Sequence, residues 1–313
     1  MIDSLDKKFF DKLRNKYNYD DKTMNALAKI VPCIVDYYGE EHEFLILEAV
    51  LNTKIIACNS KQTISKVIAD SGLTEFVGGS SLYDIDLKKQ ESVYVPSVKV
   101  IYNEEINSYV IDKIDRIIVT SHTFNYDSPK GLEVLTHALC HLVKSYKDEF
   151  KIDENMLSIR SGIAYEKRKI MYGDEISLDF VSNFGNGLEE GFTILDTELI
   201  VSMVLHDSYK CYDYDSIYMI AYILKEKYGF IGEINNYEIC GDVDSFKRVY
   251  KKSSIERLAD ICDDCVSIEN DMHLSYTRED KDSIASILKN KLEKDAYTEL
   301  VSIYEESREV VKN

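Results

Sequence analysis

The hydrophobic period of this chain changes twice, and that change limits its fold more than any other feature of the sequence. Up to the turn cluster Gly78-Gly79-Ser80-Ser81 the apolar residues recur at helical spacing. Leu5, Phe9, Leu13 and Tyr17 stand at steps of four, runs follow over 24–38 and 40–51, and a short helix begins at 64–68. Beyond the cluster the period falls to two. Val93, Val95, Val98, Val100 and Tyr102 make one strand-rich stretch, and 109–111 with 114–120 give more strand after the polar turn Asn103-Glu104-Glu105. Ser128-Pro129 then supplies an N-cap and a first-turn proline for a helix to about residue 146. Helical patterning returns over 188–205, 216–228, 244–250, 254–268 and 278–311. The expected class is α+β, predominantly helical, with a small antiparallel sheet preceding the helix at Pro129.

Three prolines and thirteen glycines leave no flexible linker, so the parts of the chain pack against one another. Its 313 residues suit about two domains of roughly 150 each. The pattern marks three regions: a helical region 1–90, a region 91–205 with the sheet and two helices, and a C-terminal helical region 206–313. Lys+Arg 38 against Asp+Glu 56 leaves a net charge of −18, which repels phosphate backbones and anionic headgroups. Nucleic acid and membrane are therefore poor partners, and a basic protein or peptide is electrostatically favoured over them; a solvated acidic surface kept for solubility accounts for the charge alone. The first ten residues mix acids with single apolar residues, unlike a signal peptide, and no stretch approaches the about 18 apolar residues of a spanning helix. Seven irregularly spaced cysteines point to a reducing, cytoplasmic setting, with signal-independent export as the other route. Only Cys262-Asp263-Asp264-Cys265 has metal spacing, and without a second such pair it reads as two reduced helix cysteines.

The chemistry is concentrated in Leu135-Thr136-His137-Ala138-Leu139-Cys140-His141-Leu142-Val143. Two histidines four apart lie about 40° from each other on one helix face, while Leu132, Leu135, Leu139 and Leu142 take the opposite face. Imidazoles at i and i+4 can fill two corners of a zinc tetrahedron without bending the helix. A catalytic zinc needs a third ligand, and Leu188-Glu189-Glu190-Gly191-Phe192-Thr193 offers Glu190 at the start of a later helix. Leu188, Phe192, Leu195 and Leu199 form the packed side of that helix. Thr193 and Thr197 share a face with Glu190, placed to orient its carboxylate, and Gly191 allows close helix approach. Taken singly, an HxxxH spacing also arises by chance, and Glu190 also reads as an acidic first turn complementing the helix dipole.

Together, His137 to His141 followed by Glu-Gly-Phe-Thr resembles the gluzincin zinc metallopeptidases, in which two helix histidines and a downstream glutamate bind zinc. It is similar in particular to bacterial HExxH proteins with an Asn-Glu-Gly-hydrophobic-Thr-Glu segment. Here the asparagine position is Glu189 and the final Glu position is Ile194. Forty-eight residues lie between His141 and Glu190, more than in the zinc aminopeptidases that also use a Glu-Gly segment. The resemblance implies a zincin-like fold, Zn2+ on His137, His141 and Glu190 with a water in the fourth position, and endopeptidase-type hydrolysis of a protein or peptide.

The sequence departs from that pattern at Ala138, which stands where HExxH has its general base. A methyl group cannot take a proton from the attacking water or deliver one to the leaving amine. The resemblance thus implies a peptidase inactive in this form. Two origins fit, a natural pseudoenzyme and a deliberate Glu-to-Ala change giving an inert, substrate-holding form; retention of the rest of the helix favours the second. A non-catalytic, zinc-stabilised protein-binding module is the alternative function. A third reading is a metal-free interaction protein whose tail stripe, Ile284, Ile287, Leu288, Leu292, Leu300 and Tyr304, pairs with another chain. Tyr209, Tyr212, Tyr214 and Tyr218, with His206, form a dense group without an assigned role. His42, His122 and His273 are isolated.

Overall fold

The computed structural model describes residues 7–58, 92–121, 124–172, 176–211, 221–222, 225, 231–241, 259–260, 262–263 and 298. Three helices open the chain: α1 (Lys7–Tyr17), α2 (Asp21–Tyr38) and α3 (Glu43–Leu51). The Asp20 side chain caps α2 by accepting from the Thr23 amide at 2.8 Å. A three-stranded sheet follows, built from β1 (Lys54–Ala57), β2 (Ser92–Asn103) and β3 (Ser108–Thr120) in the order β1-β3-β2. β2 runs antiparallel to β3, from Ser92 opposite Thr120 to Asn103 opposite Ser108. β1 joins β3 in parallel, Lys54 facing Ile117, so this sheet is mixed rather than purely antiparallel. Four residues are too few for a period of two to be visible in sequence, and β1 went unread for that reason.

Helix α4 (Pro129–Ser145) begins where the Ser-Pro pair places it, with the Ser128 hydroxyl accepting from the Gly131 amide at 3.0 Å. A Cβ on Gly131 would lie 1.9 Å from the Asn125 carbonyl oxygen, so the turn before α4 closes only over a glycine. Leu132, Leu135, Leu139 and Leu142 are all buried as the stripe requires. Leu139 and Leu142 meet Leu13, Leu27, Val50, Ile55 and Ile118 around one apolar interior. Burial on that scale stabilises by about 1.5–3 kcal/mol per leucine and fixes which face of α4 turns outward.

A second sheet of four strands follows α4, in the order β4 (Phe150–Asp153), β5 (Met156–Ser161), β6 (Ala164–Tyr172) and β7 (Ile176–Phe184). The sequence pattern placed no strand here. β6 carries Glu166, Lys167, Arg168 and Lys169 in succession, so charge falls on both of its faces and hides the alternation that buries Ala164 and Ile170. Val98 and Val100 of β2 pack with Phe150, Leu157, Ile159 and Ile170 into one cluster. Two helices complete the described chain, α5 (Asn186–Leu205) and α6 (Ile231–Cys240). The mixture of helices with small sheets is the expected class. The turn cluster at 78–81, the tail stripe and the expected helices at 64–68, 216–228, 244–250, 254–268 and 278–311 fall wholly or mainly outside the described residues. Among the described residues no helix is long and apolar enough to cross a membrane.

The chain divides into two compact units. One comprises Met1–Ser161, Glu166–Ser182 and Asp196–Cys211, the other Gly162–Tyr165, Asn183–Leu195 and Tyr212–Asn313. In the second, Phe192 is fully buried with the Lys225 ammonium 5.0 Å from its ring centroid, and Lys225 pairs with Glu238 of α6 at 3.1 Å. In the first, Glu149 follows α4 and accepts from Arg116 at 2.8 Å and from the Tyr94 hydroxyl at 2.7 Å. Burial pushes the Glu149 carboxyl from 4.5 up to about 7, with Arg116 and Tyr94 pulling the other way. The folded chain therefore holds this proton more tightly than the unfolded one. Its stabilising contribution is fully present below about pH 4.5 and is lost as pH rises through about 7, a swing on the order of 3 kcal/mol. Urea melts of Glu149→Gln against pH are expected to lose this slope; an unaltered slope would show that Glu149 is not its source.

Candidate metal centre

Both histidines lie on the outward face of α4, half-buried, with Nε2 atoms 3.1 Å apart and rings crossed at 75°. At that separation one ring can donate to the other. Zinc–nitrogen bonds of 2.0–2.1 Å in a tetrahedron place two nitrogens about 3.3 Å apart, so the pair needs only a few tenths of an ångström to hold a metal. Glu190 of α5 completes the group: the ligand atoms of His137, His141 and Glu190 all lie within 4.8 Å of one another. Among the described residues this is the one such group of three. Its donor set, two imidazoles and a carboxylate, suits zinc.

The direction of Glu190 follows from how α5 begins. Gly185 takes a φ of +77°, and the Asp263 carboxylate accepts from the Gly185 amide at 2.9 Å and from the Gly187 amide at 2.6 Å, capping the helix start. A Cβ on Gly187 would meet the Cys262 carbonyl at 2.4 Å, so this close approach also requires glycine. Asp263 and the buried Cys262 belong to the Cys-Asp-Asp-Cys segment, whose visible part is thus a helix cap; Cys265 lies outside the described residues.

Next along α5, Glu189 is buried and clamps the turn between β5 and β6. Its Oε2 accepts from the Ile163 amide at 2.9 Å and presses on Gly162, where a Cβ would lie 2.0 Å away. Successive helix residues point 100° apart, so seating Glu189 in that turn sets where Glu190 faces. Thr193, expected to orient Glu190, donates to Glu189, to its carbonyl at 2.9 Å and its Oε1 at 3.2 Å. The i−4 carbonyl lies under its hydroxyl and captures it. Thr197 bonds the Cys140 thiol, which burial, followed by the Asp196 charge, pushes up to about 12.

Further along α5, Asp196 is fully buried. It accepts from the Tyr37 hydroxyl at 2.6 Å and the Tyr38 hydroxyl at 2.8 Å, and pairs with Lys144 of α4 at 3.3 Å. An acidic residue four positions beyond Phe192, within the apolar side of the helix, was the available sign of it. Glu133, one turn before His137, accepts from the Tyr209 hydroxyl and from Lys130 at 2.6 Å. Tyr212, Tyr214, Tyr218, His122 and His273 lie outside the described residues; His42 is buried and His206 exposed. Ala138, between the histidines, is 1% exposed. Comparison of the chain with protein families, with curated proteins and with solved structures finds no match.

Proposed function

We propose that this chain is a gluzincin-type zinc metallopeptidase scaffold, zincin-like in its core, that binds zinc through His137, His141 and Glu190 and does not hydrolyse in this form. The convergence of the three ligand atoms within 4.8 Å carries the reading. Zinc held there supplies Lewis acidity toward a peptide carbonyl and toward attacking water. The two imidazoles and the carboxylate would hold the metal and would leave it one net positive charge. Position 138 offers no proton acceptor, so the chain holds a protein or peptide without cutting it. The six described cysteines are thiols, which supports a cytoplasmic setting.

The burial of Ala138 favours a second reading, a binding module that retains the metal for stability and captures its partner permanently. Both readings require the metal. Protein equilibrated with zinc and freed of excess is expected to carry about one zinc per chain, falling sharply in Glu190→Gln. Metal content no higher than that of a chelator-treated control would overturn both.

A further inference from the structure

The ion pair between Lys144 and Asp196 lies wholly inside the protein, both side chains 0% exposed. Taking two charges out of water is costly, and apolar residues of similar volume commonly stabilise a fold as well or better. Stability therefore does not explain the pair. Its place in the chain does: Lys144 is three residues beyond His141 on α4, and Asp196 is six beyond Glu190 on α5, so the pair joins the two helices that carry the metal ligands. At 1.5 Å per residue it sits about one turn from the ligand on α4 and under two turns from the ligand on α5.

Resting on the metal reading above, we propose that Asp196 and Lys144 are positioning residues that fix the register of α4 against α5 so that His137, His141 and Glu190 converge. Packed apolar helices tolerate neighbouring registers, and cores repacked with apolar residues lose uniqueness before they lose stability. A metal site tolerates only about 0.5 Å of error. An ion pair with directional partners supplies the missing selectivity: Asp196 accepts from Tyr37, Tyr38 and Lys144 at once, so a slip of one residue strands a buried charge.

The test separates register from stability. In the full chain, Tyr37→Phe, Tyr38→Phe, Lys144→Met and Asp196→Leu together remove both charges and the two hydroxyls that donate to Asp196. Without metal, this variant is expected to melt within a few degrees of the parent. Its zinc affinity, measured by competition with a chromophoric chelator, is expected to fall 10- to 100-fold, and the visible absorption of its cobalt form to change. Parent-like affinity together with a parent-like cobalt spectrum overturns the proposal. Should the fourfold variant not fold, Tyr37→Phe with Tyr38→Phe keeps both charges and removes the two hydroxyls that donate to Asp196. A several-fold loss of zinc affinity with an altered cobalt spectrum is then expected, and no change in either overturns the proposal. A parent that takes up no zinc is a different outcome, and it removes the metal reading itself.

Discussion

Replacing His137 and His141 together with alanine is expected to abolish zinc binding while leaving α4 folded. Alanine is the best helix former, and neither histidine belongs to the leucine face that seats the helix. The loss is expected to fall on metal binding alone, because two of the three proposed ligands go and a single carboxylate does not hold zinc at micromolar concentrations. The readout is the melting temperature with and without zinc. A ligand that binds only the folded state stabilises it by about 2.7 kcal/mol at one hundred times its Kd, and the parent should show that rise. The double variant should show none and should melt, without metal, close to the parent. If the variant is stabilised by zinc as strongly as the parent, the metal lies elsewhere in the chain.

The second large effect is expected at position 138. Ala138→Glu places a carboxylate 100° around the helix from His137 and 60° from His141, at the edge of the face that carries the ligands. A positioned general base is worth on the order of 10² to 10⁴ in rate, and the positive metal favours an added negative charge beside it. Zinc content should stay the same. The zinc-loaded variant is expected to cleave members of a broad peptide library, read by mass spectrometry, at least a hundred times faster than the parent.

The burial of Ala138, at 1% exposed, sets the competing outcome. If the longer side chain finds no path toward the metal, it overpacks the site at a cost of about 1–3 kcal/mol. The melting temperature then drops and no cleavage appears. That result leaves the capture module as the function.

The sequence was most informative where structure is local. Ser128, Pro129 and the leucine stripe foretold the start, end and orientation of α4, and with them the direction of both histidines. The packed side of α5, with Leu188, Phe192 and Leu195 buried, was equally plain. What stayed hidden depends on distant partners. Glu189 finds the Ile163 amide 26 residues earlier in the chain, and Asp196 finds hydroxyls 159 and 158 residues away. No spacing rule connects such residues. A shared helix face says nothing of which carboxylate a hydroxyl reaches, and Thr193 reaches that of Glu189. The four-stranded sheet escaped for another reason: its β6 strand carries charged residues on both faces, so burial there shows only in the fold.

The cap on α5 gives the order in which this molecule is assembled a chemical meaning. Asp263, which holds the first amides of the helix bearing Glu190, follows that glutamate by 73 residues in the chain. At a synthesis rate of about 5–20 residues per second, Glu190 waits roughly 4–15 s before its helix can be closed. Both imidazoles and the carboxylate thus leave the ribosome well before the brace on the Glu190 helix exists. A nascent chain in that interval presents two imidazoles open to any borderline divalent cation and a glutamate aimed by the seating of Glu189 alone. On the metal reading proposed above, selective uptake is expected to be a late event, tied to translation of the segment around residue 263 rather than to the appearance of the three side chains themselves.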